Sequence, residues 1–273
     1  MSENNEKVTR VEDKPRTLIF VDILGFGAMT QECQVRVRNW HDGGFSGSST
    51  TQMQAWLNGF DAVLHQCVFQ QPDYGCVQVM LFSDCAYLVF ENSLGAALIS
   101  ASLMRAFALH RVPVRMGIGK GTFYSIELST STNVGNVVVS KCRFMGTAVV
   151  GAHSAEQCGG KGMRIFLDPS LDEDLLCVRS RVKTILLPQL LKKVQWELDY
   201  LYESQPIARE DEVEDNDRKL FDRVARMKDP QSSQEVQAQY TETLEAMNRM
   251  RQANNRKLVD LNSLGYGEHL ADV

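Results

Sequence analysis

The run Thr17-Leu-Ile-Phe-Val-Asp-Ile23 sets one carboxylate inside an otherwise apolar, β-branched stretch, and Gly25 and Gly27 follow at once. Such a run closed by glycines reads as a buried strand. A carboxylate at the end of a buried strand is costly unless something compensates its charge. Asp22 therefore constrains both the fold around it and the chemistry available to it.

The rest of the chain supplies neighbours for this strand. After a Gly/Ser-rich loop at 41–51, Trp56, Phe60, Val63, Leu64, Cys67 and Val68 recur at helical spacing and predict a helix over about 51–70. Val77–Phe82 and Cys85–Phe90 read as two strands joined at Ser83-Asp84, followed by an amphipathic helix at about 93–110. Val112–Thr122 reads as a fourth strand, in which Gly117, Gly119 and Gly121 admit another backbone or a ligand at close range. A short strand at 137–140, a helix at 147–157 opened by Gly146, and a strand Met163–Leu167 complete the pattern. The order strand, helix, strand, strand, helix, strand predicts an α+β fold with a ferredoxin-like βαββαβ core.

Composition narrows the function. The 273 residues carry 29 Lys plus Arg against 34 Asp plus Glu, a net charge of −5, which argues against a nucleic-acid partner bound through a broad basic surface. No stretch reaches the length of a membrane span, and the leader 1–16 has no apolar segment, so a cytoplasmic protein with no membrane partner is expected. The seven cysteines are scattered without a CxxC pair, which fits reduced thiols, and the five histidines form no ligand pattern. Residues 208–273 hold 10 basic and 14 acidic residues, with apolar positions from Leu220 to Met250 at helical spacing. They predict a charged helical C-terminal extension, too poor in apolar residues for a core of its own, whose helices lean on the main domain over 17–207 or on a partner subunit. No metal or phosphate motif lies in it, so a chain truncated after Pro206 is expected to keep its site.

In a βαββαβ core the first and third strands are antiparallel neighbours, so Asp22 at the end of one meets Asp84 at the start of the other. Taken singly, an Asp before a glycine-rich turn often caps a helix, and one between strands often holds a turn. Side by side among Phe20, Val21, Leu81 and Phe82, the two acids instead call for a divalent cation, Mg²⁺ or Mn²⁺. The segment Ile23-Leu-Gly-Phe-Gly27 adds backbone N–H groups that suit a triphosphate.

Phe20-Val-Asp-Ile-Leu-Gly-Phe26 resembles the opening motif of class III nucleotide cyclases, and Leu81-Phe-Ser-Asp-Cys-Ala-Tyr-Leu-Val-Phe90 resembles their second metal-Asp hairpin. Val114-Arg-Met-Gly-Ile-Gly119 is similar to the family's fourth strand, and Gly146-Thr-Ala-Val-Val-Gly-Ala152 to its following helix. The resemblance implies two metal ions held by Asp22, Asp84 and the carbonyl of Ile23. It also implies attack of the ribose 3′-hydroxyl on the α-phosphate with loss of pyrophosphate. Phe20, Gly25, Phe26, Gly27 and Arg143 are the implied nucleotide-binding residues, in a site built across a homodimer.

Four positions depart from the purine cyclases. Met80 stands where those enzymes have a base-reading Lys, and Arg143 where they carry an acidic or polar reader; Val150 and Ser154 replace an Asn and an Arg. This pattern resembles the pyrimidine cyclases of the bacterial Pycsar antiphage system. It implies UTP as substrate, cyclic UMP as product, and an effector reached through that product. Arg115, a planar donor at the start of the fourth strand, is the candidate replacement cation, ahead of Lys120, Lys141 and Arg143. The rival readings are a silent cyclase-like domain that binds a nucleotide or a partner, and a cytidylate or adenylate cyclase.

Overall fold

The computed structural model describes residues 15–28, 30, 48–69, 74–127, 132–134, 137–139, 142–179, 181–202, 210–228, 234–261 and 264. Its centre is a seven-stranded sheet. In chain order the strands are β1 (Arg16–Ile23), β2 (Cys76–Leu81), β3 (Cys85–Phe90), β4 (Val114–Gly121), β5 (Tyr124–Glu127), β6 (Thr132–Val134), β7 (Val137–Val139), β8 (Cys142–Met145), β9 (Ile165–Leu167), β10 (Lys183–Leu191) and β11 (Val194–Asp199). The helices are α1 (Ser48–Leu64), which continues as a π-helical turn over His65–Phe69, α2 (Ser93–Leu109), α3 (Thr147–Glu156), α4 (Leu175–Arg179), α5 (Glu210–Ala225) and α6 (Gln234–Ala253).

The sheet order is β10-β11-β9-β4-β1-β3-β2. Its β4-β1-β3-β2 part, with α1 and α2 as the connections, is the ferredoxin-like arrangement expected from the sequence, and the protein is an α+β fold. The helix α3 then carries the chain to β9, which runs parallel to its neighbour β4, and a β10–β11 hairpin widens the sheet. The sequence reading had no counterpart for β5, β6, β8, β10 or β11. β5 with β8 and β6 with β7 form two small antiparallel sheets, separate from the main one.

Alternation along the strands sorts the two faces of the sheet. Ile19, Val21 and Ile23 of β1 join Met116 and Ile118 of β4 and the apolar faces of α1 and α2 in the main core, where Phe60 and Phe107 stack at 5.3 Å. Leu18, Phe20 and Asp22 therefore point to the opposite face, which α3 covers. The close seat of α3 depends on two glycines of β4. A Cβ on Gly117 would lie 2.0 Å from the Ala152 carbonyl oxygen, and one on Gly119 would lie 2.4 Å from the Ala152 nitrogen. Of the two uses foreseen for these glycines, the approach of another backbone is the one observed.

The charged extension packs on the main core. Leu220, Phe221, Val224, Tyr240, Leu244, Met247 and Met250 are all buried in the same cluster as α1 and α2. Polar ties reinforce this. Asn254 donates to Asp199 at 2.6 Å, Lys183 Nζ to the Ala253 carbonyl at 2.6 Å, and Arg251 is enclosed by Asp217, Glu214 and the Lys257 carbonyl.

The β10–β11 hairpin closes in two residues, Lys192 and Lys193, both with left-handed backbone at φ 45° and 77°. That turn type suits Asn-Gly, and a side chain in the left-handed region costs about 1–2 kcal/mol. Lys193→Gly is accordingly expected to raise the melting temperature by about 2–4 °C, read by calorimetry. An unchanged or lower value would show the turn to be relaxed as it stands.

Candidate active site

The strand registers build the site row by row. Asp22 stands opposite Cys85 of β3 on one side and Arg115 of β4 on the other; Phe20 stands between Tyr87 and Gly117. All of these positions share the α3 face. Asp84 immediately precedes β3, and its carbonyl accepts a hydrogen bond from the Ile23 N–H at 2.9 Å, locking the end of β1 to the start of β3. The two acids that the sequence reading paired are thus neighbours.

Their electrostatics differ from those of ordinary surface acids. Among the described residues, the Asp22 carboxylate takes part in no hydrogen bond or ion pair, whereas Asp84 accepts from Ser83 Oγ at 2.9 Å. Burial first, then the charges of Glu156 and Asp84, push the Asp22 carboxyl up to about 7, against a smaller opposing pull from Arg115. Burial first, then the charges of Asp84, Asp22 and Glu156, raise the Cys85 thiol to about 11, and burial, then Cys85, Glu156 and Asp22, raise the Tyr87 hydroxyl to about 12.

Arg115 reaches the site but is held. Its Nε donates to Glu156 Oε1 at 2.6 Å, its Nη2 forms a very short ion pair with the same oxygen, and its Nη1 donates to the Gly160 carbonyl at 2.9 Å. Glu156 is fully buried at the end of α3, on the face that carries Ala148, Ala152 and Ala155. A role for Arg115 as a free donor to phosphate requires this pair to open. The sequence reading overlooked Glu156. Its signal was a lone acid on the small-residue face of a helix, where a buried carboxylate needs a cation.

The candidate nucleotide residues divide in two. Gly25, with φ 79°, and Gly27 are exposed beyond β1, and neither would crowd an added Cβ. Phe26 leans on the main core, and its carbonyl accepts from Thr30 Oγ1 at 2.9 Å, a helical turn. Phe20 is only 5% exposed, and its ring packs against Tyr87 at 4.6 Å and His153 at 5.1 Å. It supports the surface from below. Arg143 lies on β8 opposite Ile126, in a sheet separate from that of Asp22, and Lys141 falls outside the described residues. Met80 is buried in the α3-side cluster. Ser154 is exposed and Val150 is 66% exposed. Phe82 and Phe144 meet at 6.1 Å, and Phe144 meets Tyr87 at 5.0 Å, making an aromatic border beside Asp84.

Among the described residues no three His, Cys, Asp or Glu side chains cluster as a self-sufficient metal cage. Two neighbouring carboxylates fit Mg²⁺ or Mn²⁺ carried with a triphosphate, because such ions take one or two protein carboxylates and fill their shell from phosphate and water. An Asp22 carboxylate that has no partner among the described residues, beside a second acid, fits that role. No described helix is long and apolar enough to cross a membrane.

No protein-family model matches the sequence, and no curated protein matches it. Among solved structures the chain is similar to the guanylyl cyclase domain of the RhoGC fusion protein from the aquatic fungus Blastocladiella emersonii. The identity is 17%, over 70% of this chain and 97% of that one, with a TM-score of 0.46. It is also similar to the guanylyl cyclase Cya2, with 14% identity over 73% and 98% and a TM-score of 0.44. The adenylyl cyclase CyaB from P. aeruginosa shows 15% identity over 74% and 100%, with a TM-score of 0.39.

Proposed function

We propose that the chain is a metal-dependent nucleotide cyclase that converts a pyrimidine nucleoside triphosphate, UTP foremost, to its cyclic 3′,5′-monophosphate and pyrophosphate. The observation that carries this reading is the Asp22 carboxylate, without a partner among the described residues at the end of β1 and beside Asp84 just before β3. The motifs at Phe20–Phe26 and Leu81–Phe90, which resemble those of class III cyclases, fall on these two strand ends.

Asp22, Asp84 and the Ile23 carbonyl would hold two Mg²⁺ or Mn²⁺ ions, and the N–H groups of the loop through Gly25 and Gly27 would face the triphosphate. Bound there, the metals supply positive charge that acidifies the ribose 3′-hydroxyl and stabilises the phosphoryl oxygens. The 3′-hydroxyl gives up its proton to solvent as its oxygen bonds to the α-phosphorus, the α–β bridge breaks, and pyrophosphate leaves. Burial of Met80, in place of a base-reading cation, supports a substrate other than a purine. The resemblance to pyrimidine cyclases extends the proposal to a cytoplasmic homodimer whose product, as an antiphage second messenger, activates an effector.

A second reading is a silent cyclase-like domain that binds nucleotide without turnover. It is favoured by the exposed Val150 and Ser154 and by the engagement of Arg115 with Glu156. One experiment separates the two: incubation of the purified protein with each of the four ribonucleoside triphosphates and Mn²⁺, with products identified by mass. Cyclic UMP formed ahead of the other three products is expected. Cyclic AMP or GMP as the main product would overturn the pyrimidine assignment, and nucleotide binding without any cyclic product would establish the silent domain.

A further inference from the structure

The register of β1 and β4 sets Arg115 directly across from Asp22 on the same face of the sheet. Directly opposed residues of an antiparallel pair have Cβ atoms about 4.5–5.5 Å apart, so an Arg and an Asp in that relation are natural ion-pair partners. The pair does not form here. The guanidinium turns away to Glu156, whose side chain is fully buried, and to the Gly160 carbonyl, while Asp22 is left without a partner among the described residues.

We propose that Glu156 is a positioning residue that sequesters Arg115 from Asp22, keeping the Asp22 carboxylate available to a divalent cation. This rests on the reading of Asp22 and Asp84 as metal ligands. The physical argument is competition. A carboxylate neutralised by a bidentate guanidinium is a poor metal ligand, because the cation must first displace a charge-assisted pair. Glu156 wins the guanidinium by geometry. The end of α3 sits over β4 because Gly117 and Gly119 let it, and this brings the Glu156 carboxylate against Arg115 in a water-poor site where the attraction is strongest. The Gly160 carbonyl, in the turn after α3, takes a further N–H and fixes the direction of the fork. Arg115 is thereby a held cation rather than a free phosphate donor.

Removing Arg115 alone would be a poor test, since it strands a buried carboxylate. Three variants are better. Glu156→Gln keeps the shape but loosens the guanidinium. Glu156→Asp keeps the charge but withdraws the carboxylate by one methylene. Arg115→Met with Glu156→Leu removes both charges. The measurement is Mn²⁺ binding to the full chain at pH 8, followed by loss of the electron paramagnetic resonance signal of free aquo-Mn²⁺, with thermal unfolding as the check on folding. Both single variants are expected to bind Mn²⁺ more weakly, on the order of 10- to 100-fold. The double variant is expected to return close to wild type.

A folded Glu156→Gln protein that binds Mn²⁺ like wild type would overturn the inference, as would a folded double variant no better than the single. Should Glu156→Gln not fold, Glu156→Asp decides. Wild-type affinity there would mean that Glu156 acts only through its charge, and sequestration would be wrong. Wild-type protein that binds no Mn²⁺ would bring down the metal-site reading itself, and this inference with it, whereas failure of the variants alone leaves the metal site standing.

Discussion

Asp22→Asn is expected to raise the melting temperature of the metal-free protein at pH 8 while lowering nucleotide cyclisation by at least about 10³-fold. The sign follows from the carboxyl's displacement from its ordinary 3.8 to about 7 in the folded chain. Below pH 4 the group is protonated whether the chain is folded or not, and it adds nothing. As pH rises from about 4 to 7 the unfolded chain releases this proton more readily than the folded one, so folding stability falls through that window and the full penalty stands above pH 7. Asn carries no such charge. The gain from Asp22→Asn should therefore be small at pH 4, grow toward pH 7 and level off. Mn²⁺ should stabilise the wild type at pH 8, because it binds the folded state alone, and should do little for the variant. A thermal shift series across pH with and without Mn²⁺ checks all of this. A gain independent of pH would show that burial of the Asp22 charge is not the cause, and near-normal cyclisation in the variant would remove Asp22 from the chemistry.

Truncation after Pro206 is expected to abolish folding. The sequence reading treated residues 208–273 as dispensable for the site because no motif lies there. Yet Phe221, Leu244, Met247 and Met250 are wholly buried in the main core, with Leu220, Val224 and Tyr240 nearly so. Each such side chain contributes about 1.5–3 kcal/mol by burial, and together they are comparable to the roughly 5–15 kcal/mol that separates folded from unfolded in an ordinary domain. The truncated chain would also bare the faces they cover and leave Asp199 without Asn254. The expected product is aggregated or lacks a cooperative melting transition, as read by circular dichroism and size-exclusion chromatography. A monodisperse truncated protein with a sharp transition and intact Mn²⁺ binding would overturn this and restore the extension as an appendage.

Much of the architecture was legible in the sequence because period and punctuation are local. The alternation around Thr17–Ile23, the two short strands flanking Ser83-Asp84, and the helical spacing from Trp56 to Val68 each encode an element through residues close in the chain. The βαββαβ order then implied that β1 and β3 pair, and with it the meeting of Asp22 and Asp84. The β10–β11 hairpin was missed: its turn is Lys192-Lys193, which carries none of the Asn or Gly signal that marks such turns.

The extension was legible as helices that lean on the main domain or on a partner subunit, but which of the two, and how deeply they are buried, was not. An amphipathic stripe records that a face is buried and not what buries it, and at high charge density the stripe reads as a solvated surface. The sequence alone thus determined the strand that carries Asp22, the antiparallel partner strand that Asp84 precedes, and the small-residue positions of β4. Only the tertiary structure decided what those glycines admit, namely α3, and which acid takes Arg115. Ion pairing depends on side-chain reach and burial across elements 41 residues apart in the chain, as Arg115 and Glu156 are, and no local pattern encodes that distance.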